Sequence, residues 1–169
     1  IRGIGVIGSL GDSPEAFGDG LFSGRLAPGA SAVQPGAYAG EIREFNPRRY
    51  ISQKGLQVLS RAALLTTAAL SLLRKSCASL LEADVPAERI GLVVGTAFGH
   101  IASKLRYSEE AVREGVALVS PILFPSTIIN SLGGHAAIIH GWRGPNSTFT
   151  AGTRSSLEAI RSSLEHLRK

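Results

Sequence analysis

Residues 55–82, GLQVLSRAALLTTAALSLLRKSCASLLE, constrain this chain most, because Leu and Ala would occupy most faces of the helix they spell. A surface helix keeps its apolar residues in one stripe, whereas one that is apolar most of the way round is mostly buried. The longest strongly apolar run free of charge, residues 62–73, is far short of the roughly 20 residues that a membrane-spanning helix needs. An integral membrane protein is therefore excluded, and the helix belongs inside protein. With 44% apolar and only 18% charged residues, the chain is too poor in charge for solvated disorder. Its 169 residues suffice for one domain with a real core. The single cysteine, Cys77, rules out an internal disulfide framework and a CxxC zinc site, and fits a reducing compartment.

Around that helix the sequence alternates strands and helices. Residues 1–8, IRGIGVIG, interleave β-branched residues with glycine and read as a buried strand whose backbone is closely approached. A turn at 9–13, a short helix over 14–22 with Pro14 in its first turn, a long Gly/Ala/Pro loop over 24–40 and a short strand at 41–45 follow. Pro86 closes the long helix. Residues 89–95, RIGLVVG, read as a central strand covered on both faces. Then come a helix over 101–114, an apolar loop at 117–125, a helix over 126–139, a Gly144-Pro145 turn, a strand STFT at 147–150 and a last helix from about Thr153. Strands separated by helices predict an α/β sheet with parallel neighbours.

The chain opens on Ile1 rather than Met, and its last helix is still periodic at Lys169 without a cap. The expectation is a trimmed or processed product, completed by a longer protein or a separate chain.

Eighteen Lys and Arg against thirteen Asp and Glu give a net charge of +5, which favours acidic partners without specifying one. Arg43, Arg48, Arg49, Arg61, Arg74 and Lys75 are scattered, as on a solvated surface; docking of an acidic carrier protein is the alternative. They lack interleaved aromatics, so nucleic acid is not an expected partner. Cys77 reads as a buried small hydrophobe. His135 and His140 stand five apart with no carboxylate in their segment, so no metal site is expected there. GTAFGH at 95–100 lacks the lysine of a phosphate loop, and its glycines read as close backbone packing.

Five segments in order carry a family resemblance: GIGVIGSLGDS, RRYISQKGLQVLSRAALLTTAAL, RIGLVVGTAFGH, FPSTIINSLGGHAAIIHGWRGPNST and SSLEAI. Together they resemble the N-terminal half of the β-ketoacyl-acyl carrier protein synthases, the condensing enzymes of fatty acid and polyketide synthesis. The resemblance implies a thiolase-like α/β fold: a mixed, mostly parallel sheet covered by helices in an αβα layering. It makes residues 1–169 a ketosynthase N-terminal-like domain, with the C-terminal half absent. The family places a nucleophilic Cys at a strand-to-helix turn, in a segment like TACASS at a fixed distance after GPN. Here that segment reads NSTFTAGTRSS, and the nucleophile position falls on Thr153; a shift by one residue puts Gly152 or Arg154 there.

A threonine hydroxyl is a weak nucleophile without a base or terminal amine to activate it, and the adjacent Arg154 cannot accept a proton. The expected role of Thr153 is a degenerate site whose hydroxyl caps the first turn of the last helix. The family's decarboxylating His pair belongs to the half that this sequence does not contain. Phe98 corresponds to a gate of the acyl pocket, with plain core packing as the alternative. The 124–140 segment corresponds to the dimer interface and contributes to the acyl tunnel, Ile129 lining the pocket; Ile128, Ile129, Leu132, Ile138 and Ile139 also suit an ordinary core.

Three readings follow from the resemblance and the composition. The first is a non-condensing ketosynthase-like subunit that shapes an acyl pocket with a partner, as chain-length-factor subunits do. The second is an acyltransferase or 3-oxoacyl-acyl carrier protein synthase using Thr153 or a complementary chain. The third is a basic interaction module. The resemblance further implies a homodimer or a ketosynthase-like heterodimer, an acyl carrier protein as partner, a cytoplasmic setting, and no cofactor, metal, nucleic acid or membrane.

Overall fold

A computed structural model describes residues 2–24, 29–31, 34–78 and 85–168. They fall into two compact units: Ile1–Ser52 with Ala68–Ala83, and Gln53–Thr67 with Asp84–Lys169.

In the first unit, helix α1 (Pro14–Phe22) starts where the sequence predicts. Ser13 accepts the Ala16 amide at 3.1 Å and Pro14 takes the first turn, where a missing N–H costs nothing. The stretch read as a strand at 1–8 forms no ladder among the described residues; its one β contact is an antiparallel bridge between Gly8 and Gly11. What the glycines do serve is close approach. A Cβ at Gly5 would meet the Ala69 carbonyl and lie 2.6 Å from the Leu73 amide nitrogen. The Gly/Pro loop contains a two-residue antiparallel pair, β1 (Gly29–Ala30) with β2 (Tyr38–Ala39). Residues 41–45 form no strand. Instead Asn46 caps a short 3₁₀ turn, Pro47–Arg49, and the Tyr50 hydroxyl donates to Asp12 at 2.7 Å.

The long apolar segment is helical over Arg61–Ser76 (α2), and residues 79–82 of the expected helix lie outside the described residues. It begins six residues late because Gly55, at φ +80°, starts a 3₁₀ turn and Leu59 is extended. Ser60 then accepts the Ala63 amide at 3.2 Å. Ala63, Thr67, Ala68 and Ser71 are buried, and Thr67 satisfies its hydroxyl on the Ala63 carbonyl at 2.8 Å. Cys77 is buried, as expected.

The second unit is built on two parallel strands, β3 (Leu92–Gly95) and β4 (Asn146–Phe149), in register Leu92 with Asn146 through Gly95 with Phe149. Between them run α3 (Ile101–Glu114), a 3₁₀ segment (Pro121–Thr127) and α4 (Ser131–His140); α5 (Ser155–Leu167) follows β4. The helix expected over 126–139 therefore begins only at Ser131. Pro125 withholds a backbone donor, and Ile128 is extended before the chain turns into α4.

Side chains alternate across a strand, and the contacts follow that alternation. Val94 lies against Gly133 of α4, whereas Gly95 lies against Ser155 and Ser156 of α5. Helices thus cover opposite faces of β3, giving the αβα layering. The core is made of small residues and a few large ones: Leu56, Leu92, Val119, Leu132, Ala136 and Ala159 are buried. Among the described residues, no single helix is long and apolar enough to cross a membrane.

The two adjacent glycines of α4 meet different surroundings. At Gly134 a Cβ meets nothing, so Gly134→Ala is expected to stabilise by about 0.5–1 kcal/mol through reduced chain entropy. At Gly133 it would lie 2.7 Å from Asn146 Oδ1, the tip of an exposed side chain that must turn aside, and 3.3 Å from Val94, so Gly133→Ala is expected to be less stable than Gly134→Ala. Urea unfolding of the two variants checks the order.

Candidate functional site

Parallel pairing puts the carboxyl ends of β3 and β4 at one edge of the sheet, where ligands of open α/β sheets bind. The ladder extends past both strands there, since the Thr96 amide donates to the Phe149 carbonyl at 3.0 Å. The segment from Thr96 to His100 turns at this edge, its Gly99 amide held by Thr96 Oγ1 at 2.9 Å. Leu132 of α4 approaches Gly99, so the start of α4 belongs to the same edge. Phe98, Thr153 and the residues just before α4 are therefore brought to one end of the sheet.

Thr153 sits in the strand-to-helix turn that the sequence predicts. After β4 the chain makes a 3₁₀ turn at Gly152–Arg154 and enters α5 at Ser155. The expected cap does not form. The cap position of α5 is Arg154, without a side-chain cap bond, and Thr153 is exposed with no hydrogen bond to its hydroxyl among the described residues. The turn is closed instead by Ser155, buried to 2% exposure: its Oγ accepts the Ala151 amide at 2.9 Å and donates to the Gly152 carbonyl at 2.6 Å. Gly152 takes the left-handed conformation, φ +57°, that this reversal requires. In the sequence Gly152 enters only as an alternative register for the nucleophile and Ser155 has no assigned role; the Ser-Ser pair after TAGTR is the available signal.

Among the described residues no side chain is hydrogen-bonded to Thr153 as a general base would be. Its neighbour Arg154 is a permanent cation, and none of the described residues bonds its hydroxyl. The first amides of α5 carry the positive end of the helix dipole, a setting that suits an anion but does not deprotonate an alcohol.

Phe98 is 75% exposed, so it does not pack into the core that the described residues form. Ile128 and Ile129, at 44% and 42%, likewise stand out of the core before α4, and Ile138 is exposed on its far side. Of this group only Leu132 is a core residue.

His135 and His140 do not converge. His140 stacks on Trp142 with ring centroids 4.7 Å apart and meets the Thr67 carbonyl at 3.4 Å. Among the described residues His135 Nδ1 is buried without a partner, as are His100 Nδ1 and the Thr148 hydroxyl, which faces α4 beside Val94. Among the described residues no group of three His, Cys, Asp or Glu could hold a metal ion.

Burial pushes the His135 imidazole below its ordinary value. The unfolded chain then binds the proton more readily, so stability is full above about pH 6.5 and is lost as pH falls through that value toward the lower folded one. The melting temperature is expected to drop between about pH 7.5 and about pH 5, and His135→Gln to flatten that dependence. Equal slopes for the two proteins would place the titration elsewhere.

The whole chain, residues 1–169, matches the family described as "Beta-ketoacyl synthase, N-terminal domain". The chain belongs to the β-ketoacyl synthase family. This ketosynthase domain is 24% identical to a 3-oxoacyl-[acyl-carrier-protein] synthase 2 of Synechocystis, over 95% of its own length and 39% of that protein. It is 26% identical to the chloroplastic 3-oxoacyl-[acyl-carrier-protein] synthase II of Arabidopsis thaliana, over its full length and 32% of that protein. It thus spans about two fifths or less of the length of these relatives. Among solved structures it superposes on the ishigamide ketosynthase/chain length factor with a TM-score of 0.81 at 21% identity, covering 96% of this chain and 47% of that one. A β-ketoacyl synthase from Burkholderia phymatum gives 0.78 at 14% identity, over 99% and 43%. The fold is that of the thiolase-like ketosynthases.

Proposed function

We propose that this ketosynthase-like chain serves fatty acid or polyketide biosynthesis in the cytoplasm as a non-condensing subunit that helps a ketosynthase-like partner shape an acyl pocket. The observation that carries this reading is the turn at 152–154: the nucleophile position presents an exposed, unactivated hydroxyl beside Arg154. An acyl group on a carrier thioester needs a thiolate or an activated hydroxyl to attack it, and Thr153 is neither. Phe98 and Ile129, exposed at the same edge of the sheet, supply apolar surface for an acyl chain or for the chain that encloses it.

A second surface supports a partner. On α5 the small residues Ser155, Ala159 and Ser162 face inward, while Leu157, Ile160, Leu164 and Leu167 are each more than half exposed at spacings of three and four. Such a stripe is the signature of a helix face covered by another element. The pairing of ketosynthase with chain length factor in the name of a structural relative agrees with this reading.

The test has two arms. Incubated with an acyl thioester of a carrier protein, the purified chain is expected to keep its intact mass, and mixed with a ketosynthase of the same system it is expected to co-elute. Acylation at Thr153, abolished in Thr153→Ala, would overturn the proposal in favour of an acyltransferase.

A further inference from the structure

We draw no further inference here: the strongest candidate, the exposed apolar stripe of Leu157, Ile160, Leu164 and Leu167 along α5, already belongs to the partner surface proposed above, and nothing in the structure shows what covers it.

Discussion

Replacing Gly95 with alanine is expected to destabilise the second unit by about 3 kcal/mol or more, seen as a lower urea midpoint at unchanged slope. Gly95 ends β3 on the face that α5 covers. A Cβ there would run into the Ser155 carbonyl oxygen and lie 2.7 Å from its carbon and 2.9 Å from Ser156 Cα. All three are backbone atoms, so no side chain can swing aside. The helix itself has little room to retreat, because Ser155 ties it to the Ala151 amide and the Gly152 carbonyl, and Ala159 and Ser162 are already buried. The strain would pass to the turn at 152–154, so the same variant should move the candidate site. A change within about 0.5 kcal/mol would mean that α5 is not seated on β3 as described.

That contact explains what the sequence could and could not disclose. RIGLVVG is legible as a covered strand because apolar-type positions run together around Leu92, Val93 and Val94, and β3 occupies its last four positions. The helix at 101–114 is legible by its periodicity and ends at Gly115, where φ is +94°. The strand read into IRGIGVIG forms no ladder among the described residues, because period and β-branching describe a residue's preference, whereas a ladder requires a partner strand. The same glycines were correctly read as sites of close approach. Start signals misled twice. The Leu/Ala helix begins after Ser60 rather than at Gly55, and α4 begins after the Ile128-Ile129 pair rather than at Ser126. In both, a 3₁₀ turn is spelled by residues that would also fit a helix.

The site was legible as a place and less so as an arrangement. The GPN spacing locates the turn after β4, and the absence of a thiol from it is a matter of reading letters. Which hydroxyl closes the turn depends on two hydrogen bonds that no spacing reveals, and it is Ser155 rather than Thr153. In sequence Phe98 and Ile129 are compatible with core or pocket alike; among the described residues both stand exposed.

The sharpest consequence of the turn concerns a thiol introduced there. In the native wild-type chain iodoacetamide is expected to modify almost nothing, because the single cysteine, Cys77, is 7% exposed. The T153C variant should take one equivalent. Its thiolate would stand at the positive end of α5 and beside Arg154, both of which lower a thiol below its ordinary value of about 8.5. A drop of about one unit raises the thiolate fraction at pH 7 by about eight-fold, and the alkylation rate should rise with it relative to the unfolded chain. The G152C variant forms the control for register: at φ +57° a side chain costs about 1–2 kcal/mol, so that protein should be less stable than T153C. With an acyl thioester of a small thiol, T153C is expected to gain one acyl group. The introduced thiolate attacks the carbonyl carbon, the thiol of the donor leaves as thiolate, and the wild-type chain stays unmodified. Rapid alkylation without acyl uptake would mean that a thiol at this turn does not by itself suffice for acyl transfer, and that the surrounding surface is unsuited to it. Labelling no faster than that of the unfolded chain would show that the turn lacks the positive field assigned to it.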